Sequence, residues 1–261
     1  MHRFFVEPSL LQSPSITLPE QLAHQARDVL RLQIGEQLVL LDNSGDEVIA
    51  AVATSARAGV TAQVIERRPG KAEPPVRITL CQGMLKAARF EWILEKGVEL
   101  GVTTFAPIFC RRSTAGLEEA GAAKTQRWQR IIQEAAEQCG RARLPALWPI
   151  RTLAQALSDI PPGTLSIIPW EEERDRTLHD VAAQYVPNEN VAGNNVAAQF
   201  IAPHAIFIFI GPEGGFAPEE VQLARQCGVQ PITLGPRILR AETAALAAVA
   251  NVMYEFGREE I

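Results

Sequence analysis

The chain has 261 residues, 47% of them hydrophobic, and a formal net charge of −5. That is enough apolar material for two modest domains or one large one, so disorder is not the default, and the negative charge argues against nucleic-acid binding by bulk electrostatics. No apolar run approaches a membrane span, the start MHRFFVEPSL lacks a signal-peptide core, and Cys81, Cys110, Cys139 and Cys227 form no CxxC pair. With His2, His24, His179 and His204 equally scattered, we expect a cytoplasmic protein with reduced thiols, no membrane segment and no metal site.

In chain order, HRFFVE, EQLVLLD with the turn NSGDE, EVIAAVATSA and VTAQVIERR read as short strands. One helical piece, PEQLAHQARDVLRL, lies among them and opens on Pro19 and Glu20, residue types favoured in a first helical turn. So many short strands in about seventy residues predict a small β-barrel. RPGKAEPP (68–75) breaks any periodic element and sets the boundary between domains at 1–72 and 73–261.

Beyond it the pattern alternates. VRITLCQGM, TTFAPIFC, TLSIIPW, AIFIFI and PITLG read as strands; ARFEWILEKGVELG, AAKTQRWQRIIQEAAEQCG, APEEVQLARQCG and AETAALAAVANVMYEF read as helices. This predicts an α/β domain with a mostly parallel sheet and helices on both faces. The Asn-rich VPNENVAGNNVAAQF (186–200) reads as a surface insertion.

FIFIGPEGGFAPEE (207–220) carries the first functional signal. Gly211, Gly214 and Gly215 suit a tight strand-to-helix turn, and equally a ligand loop at the carboxyl end of a parallel strand. A phosphate cradle is disfavoured, because GxxxxGK[ST] is absent and Glu213 would repel a polyanion. A nicotinamide site would place its glycines after the first strand, not a late one. The second signal is LGPRILRAETAAL (234–246), where another strand ends in Gly-Pro and a basic loop leads into a helix apolar nearly all round. Such a helix is buried in the core or against another subunit. Two Gly-Pro loops could form one pocket, and backbone groups with Glu213 suit an adenosine carrying a cationic sulfonium better than a phosphate.

IGPEGG followed by LGPRILRAETA resembles the cofactor motifs of the SPOUT class of S-adenosylmethionine-dependent RNA methyltransferases. The resemblance narrows to the ribosomal RNA small-subunit methyltransferase E family, which methylates N3 of a uridine in 16S rRNA. It extends to HRFFVE, HQARDVLRLQIGE, LKAARFEWILEKGVELGVTTFAPIFCRRS and IIQEAAEQCGR. Gly97-Val98, where the family pattern leads us to expect Ala-Thr, is a departure. The resemblance implies a C-terminal trefoil-knotted methyltransferase domain, an N-terminal PUA-like RNA-positioning barrel, a homodimer, and 16S rRNA within the small ribosomal subunit as partner. For the cofactor, S-adenosyl-L-methionine, it points to Pro169 at the end of TLSIIPW and to Ile210, Gly211, Glu213, Gly214 and Gly215 in the first motif region. The second region contributes Leu234, Gly235, Ile238, Leu239 and Thr243.

On the helix 124–140, Trp128, Ile131, Ile132, Ala135 and Cys139 form a core stripe, whereas Arg127, Arg130, Glu134, Gln138 and Arg141 fall opposite. That polar side is an ordinary solvated face on the periodicity alone. The resemblance moves Glu134, Gln138 and Arg141 to the reaction, and Arg127 and Arg130 are kept as solvated or phosphate contacts. Residues 110–143 hold seven Lys/Arg against four Glu, a local basic stretch for RNA. Arg240 and Arg141 are candidates for stabilising a developing uracil anion, and Glu134 or Glu242 for accepting the N3 proton or orienting those arginines. Lys86 and Arg89 are either surface charge or RNA phosphate contacts. Methylation of another RNA position, or a non-enzymatic RNA-binding assembly factor, are the alternatives.

Overall fold

The structure is a computed structural model that describes residues 1–184 and 205–257; the Asn-rich stretch 186–200 lies outside them. The chain divides into two compact units, Met1–Glu73 with Gln133–Leu144, and Pro74–Ile132 with Pro145–Ile261. The segment 133–144, which the sequence boundary leaves with the second domain, therefore belongs with the first unit.

The first unit contains β1 (His2–Phe5), β2 (Ser15–Thr17), α1 (Glu20–His24), β3 (Gln37–Leu41), β4 (Asp46–Ala56) and β5 (Gly59–Pro69). They form a sheet ordered β1-β3-β4-β5-β2, with β1 parallel to β3 and the other pairs antiparallel. Side chains on β3 alternate between two cores. Leu38 and Leu40 join Phe4, Ile16, Val48 and Ala62, whereas Val39 and Leu41 pack on Ala142 and Phe5. The helix expected over 19–32 is shorter. After His24 it widens into a π-turn over Gln25–Val29, and Arg31 at φ 54° ends it.

One buried charge organises this unit. Glu47 is 4% exposed on β4, with Oε1 2.6 Å from Arg3 Nη1 and Oε2 3.0 Å from Arg68 Nη2. Burial pushes this carboxyl upward, but the hydrogen bonds from Arg3 and Arg68 outweigh it and hold it below the ordinary glutamate value.

The second unit runs β6 (Arg77–Gly83), α2 (Ala87–Glu99), β7 (Val102–Phe109), α3 (Ala122–Cys139), β8 (Ala146–Leu147), β9 (Arg151–Thr152) and α4 (Leu153–Ser158). It continues with β10 (Leu165–Pro169), α5 (Leu178–Ala182), β11 (Ala205–Ile210), α6 (Pro218–Gln226), β12 (Gln230–Ile232) and α7 (Ala241–Phe256). Residues of α3 up to Ile132 fall in this unit and the rest in the first. The sheet order is β12-β10-β11-β6-β7-β8, with β9 also on β7, and every pairing is parallel. Helices α2, α5 and α7 pack together with α7 on β6 and β11, and α4 packs on α6. Leu153 and Leu157 of α4 and Val221 and Ala224 of α6 share a core with Cys81, Phe207 and Phe209.

Gly97 has a packing reason. A Cβ there would lie 2.8 Å from the Phe105 ring, so glycine lets α2 close on β7. Cys81 and Cys110 are buried, and burial pushes both thiols up, which leaves them inert.

Candidate functional site

Because the strands are parallel, β12, β10 and β11 end side by side on one edge of the sheet. Open parallel sheets bind ligands at that edge. The loops following these three strands, together with Arg89 of α2 and the first turn of α7, enclose a cavity of about 830 Å³. Hydrogen bonds tie the loops to one another. Trp170 N donates to Ile232 O at 3.0 Å and Thr233 N to Arg176 O at 2.8 Å.

Backbone approach, rather than side chains, builds the loop after β11. A Cβ on Gly211 would lie 3.1 Å from the carbonyl carbon of Gly215, and one on Gly83 would lie 2.6 Å from that of Gly211. Gly215 sits at φ +67°, and a Cβ there would meet the Glu171 carboxylate at 3.1 Å. Gly235 differs: at φ +104° its Cβ would face open space, so conformation alone calls for glycine there. Thr233 Oγ1 accepts from Gly235 N at 3.1 Å and closes that turn.

Most of the sequence-derived cofactor residues converge here. Pro169, Ile210, Gly211, Glu213, Gly215, Leu234, Gly235, Ile238 and Leu239 line the cavity, and so do Arg240 and Glu242. Gly214 and Thr243 do not line it. The carbonyl of Gly214 is taken by Arg112 Nη1 at 3.0 Å, and Thr243 is exposed. Arg89 lines the cavity as well, 3.4 Å from Glu213 and 3.8 Å from Glu242. Its single positive charge offsets only part of the charge of these two carboxylates. Glu242 is left with Oε2 buried and without a hydrogen-bond donor among the described residues. Arg240, the N-cap residue of α7, is exposed and makes no ion pair with a described residue.

Other candidates lie elsewhere. Glu134, Gln138 and Arg141 belong to the first unit, and none lines the cavity. Glu134 and Gln138 are exposed on α3. Arg141, which the helical periodicity puts on the polar face, is 3% exposed. Gly140, at φ +89°, ends the helix before it, and Arg141 Nη2 lies 3.1 Å from Glu73. Lys86 is the exposed N-cap of α2. Arg127 grips Glu91 at 2.6 and 2.8 Å, and Arg130 is exposed.

The sequence reading missed the wall supplied by Trp170 to Arg174. Its signal was a run of three glutamates directly after an apolar strand. The cavity carries Glu171, Glu172, Glu173, Glu213 and Glu242 against Arg89, Arg174, Arg237 and Arg240, with Ile210, Leu234 and Leu239 as apolar surface. That balance suits a flat, partly apolar ligand bearing positive charge, and opposes a polyphosphate.

A family model described as an RNA methyltransferase domain matches residues 72–253, which spans every loop of this cavity. The chain belongs to the ribosomal RNA small subunit methyltransferase E family. The family's member from Synechocystis is 33% identical over 252 residues, covering 96% of this chain and 77% of that one. The Bacillus subtilis member is 29% identical over 98% of this chain and 97% of its own. Among solved structures, the family's enzyme from Neisseria gonorrhoeae bound to S-adenosyl methionine superposes with a TM-score of 0.83 at 31% identity, over 98% of both chains. A methyltransferase from Legionella pneumophila in complex with the same cofactor gives 0.79 at 28% identity, over 97% of this chain and 96% of that one. The α/β fold with its parallel sheet is therefore that of these methyltransferases. Among the described residues, no helix is long and apolar enough to cross a membrane, and no cluster of three or more acidic, His or Cys groups is placed to hold a metal ion.

Proposed function

We propose that this protein is an S-adenosylmethionine-dependent methyltransferase that modifies N3 of a uridine in 16S rRNA, working in the cytoplasm on the small ribosomal subunit. The observation that carries the reading is the cavity at the ends of β10, β11 and β12, where Gly211 and Gly215 leave no room for a Cβ and let the loop backbone line the cavity. The residues present fit the cofactor. Ile210, Leu234 and Leu239 offer apolar surface for an adenine, and Glu171, Glu213 and Glu242 balance a sulfonium and an ammonium. When bound, S-adenosylmethionine supplies an electrophilic methyl group.

The chain's own groups must then bring the base, take its proton and stabilise the charge left behind. N3 lies on the Watson–Crick edge, so the uridine has to be unpaired or flipped out. Arg240 reaches the uracil carbonyl oxygens with its fork of donors, and those oxygens gain charge as N3 is deprotonated. Glu242 lines the cavity and takes the N3 proton, its Oε2 having no donor among the described residues. Arg89 holds Glu242 in place through its other oxygen. Glu134 and Gln138, exposed in the first unit, serve RNA contact rather than methyl transfer. Arg141 is a support, held by Glu73.

On this reading the first unit forms a PUA-like RNA-positioning barrel, and the second carries the trefoil knot of the SPOUT class. The protein works as a homodimer. Helix α7 buries Ala245, Ala248, Val249 and Val252 but leaves Tyr254 68% exposed and several apolar neighbours half-buried. Light scattering showing an active monomer at micromolar concentration would remove the dimer. The function is tested by offering labelled cofactor to small subunits and to free 16S rRNA, then mapping the product by digestion and mass. The account expects one N3-methyluridine; methyl on a ribose 2′-hydroxyl, or no transfer to either substrate, would overturn it.

A further inference from the structure

The loop after β11 is held from outside the cavity by residues 110–113, at the end of β7. Arg112 Nη1 donates to the Gly214 carbonyl at 3.0 Å. Gly214 is also pressed against the Arg112 backbone: a Cβ there would lie 3.0 Å from Arg112 Cβ and 3.3 Å from its carbonyl oxygen. One residue earlier, Arg111 N donates to Glu220 Oε1 at 2.8 Å. The second oxygen of Glu220 accepts from Ala217 N at 2.9 Å, at the entry of α6. Glu220 therefore ties the end of the glycine loop to the end of β7 with one carboxylate. The turn over 110–113 is itself closed, because Cys110 N donates to Ser113 Oγ at 2.9 Å. Neither Arg111, Arg112 nor Glu220 lines the cavity.

From this geometry we infer that Arg112 and Glu220 are positioning residues for cofactor binding, acting through the backbone of Gly211–Ala217. The inference rests on the cofactor reading of the cavity and adds to it the support of its glycine loop. A loop with three glycines is free to leave its bound conformation unless something outside restrains it. Ordering it in advance removes an entropic cost that the ligand would otherwise carry. A charge-assisted hydrogen bond to Gly214 and the two-pronged Glu220 supply that restraint without occupying ligand space. The obvious alternative for an exposed arginine in a methyltransferase of RNA is a phosphate contact, and that role predicts a different pattern of losses.

The test uses the full chain and the variants Arg112→Ala, Arg112→Lys and Glu220→Gln, each first checked for an unchanged melting temperature within a few degrees. Amide hydrogen exchange without cofactor should be faster at 213–217 in Arg112→Ala and Glu220→Gln, with the sheet amides unchanged. Calorimetry with S-adenosylmethionine should show affinity reduced about tenfold in both, the scale of one lost charged hydrogen bond. Arg112→Lys, which keeps one donor, should recover part of the loss. Unchanged exchange in the loop would overturn the inference. So would faster exchange with cofactor affinity within twofold of the parent, or a loss confined to RNA binding. If the parent itself bound no cofactor while loop exchange rose in the variants, the fault would lie with the cofactor reading, and the inference would fall with it.

Discussion

In the first unit Glu47 is almost fully buried, and both of its oxygens are taken by Arg3 and Arg68. In the second, among the described residues, buried Glu242 Oε2 and Gln82 Oε1 have no donor and the Trp170 indole N–H has no acceptor. Glu242 and Trp170 line the cavity, and Gln82 ends β6 beside Gly211, to whose carbonyl its Nε2 donates at 3.4 Å. A buried group that is fully satisfied stabilises a fold, whereas one left unsatisfied costs stability. The contrast is between a carboxylate whose partners folding supplies and one that lines a cavity with an oxygen still unpaired among the described residues.

The sharpest way to break this contrast is to fill the space the glycines leave. Gly215→Val puts a β-branched residue at φ +67° against the Glu171 carboxylate. Strain and lost approach together should weaken S-adenosylmethionine binding by at least about a hundredfold. Far-UV circular dichroism should show the fold intact, and unchanged calorimetric affinity would remove the loop from the site.

Next in size is Arg240→Lys, which keeps the charge but loses the fork of donors. We expect kcat to fall about a hundredfold, on the scale of a removed oxyanion donor, with cofactor affinity within twofold of the parent. Parent-like turnover, or a loss of cofactor binding instead, would show that Arg240 does not act on the base.

Glu47→Gln should act on the other side of the contrast. Denaturant unfolding should show a loss of about 2 kcal/mol, with cofactor affinity unchanged. Folding lowers this carboxyl below its ordinary value of 4.5. Its contribution is therefore complete above that value and lost as pH falls through the folded one. The stability gap between parent and variant should close on acidification below about pH 4, and a gap independent of pH would contradict the pairing. The smallest effect is expected for Gly235→Ala, where the Cβ meets nothing and only the positive φ is strained. A cost of about 1 kcal/mol in cofactor binding or stability follows.

How far the sequence could be read depended on where each element's restraints come from. Helix α7 was legible from end to end, because AETAALAAVANVMYEF carries its own helical composition and Gly257 follows it. The two Gly-Pro loops were legible because glycine at a strand end marks a turn or a close approach of backbone. Short elements were missed even where they carried a local signal: Thr152 and Gln155 form a reciprocal capping box at the start of α4, and Thr177 and Asp180 another at α5. The acidic wall was not legible, since a distant partner as well as local ones sets its conformation. Glu173 accepts from Asp175 N and Arg176 N at 3.2 and 3.3 Å and pairs with Arg225 at 3.4 Å. Arg141 was misplaced for a similar reason: helical periodicity cannot register that Gly140 turns the chain at its end and that Glu73, far away in sequence, receives the charge.

The central claim is that the cavity at the ends of β10, β11 and β12 binds S-adenosylmethionine. Its most direct test is a titration of the isotopically labelled full chain with the cofactor, followed by amide resonances. The account predicts saturable shifts concentrated at 170–174, 211–217 and 234–242, with the strands of the first unit unmoved. Shifts centred on the first unit, or none at millimolar cofactor, would contradict it.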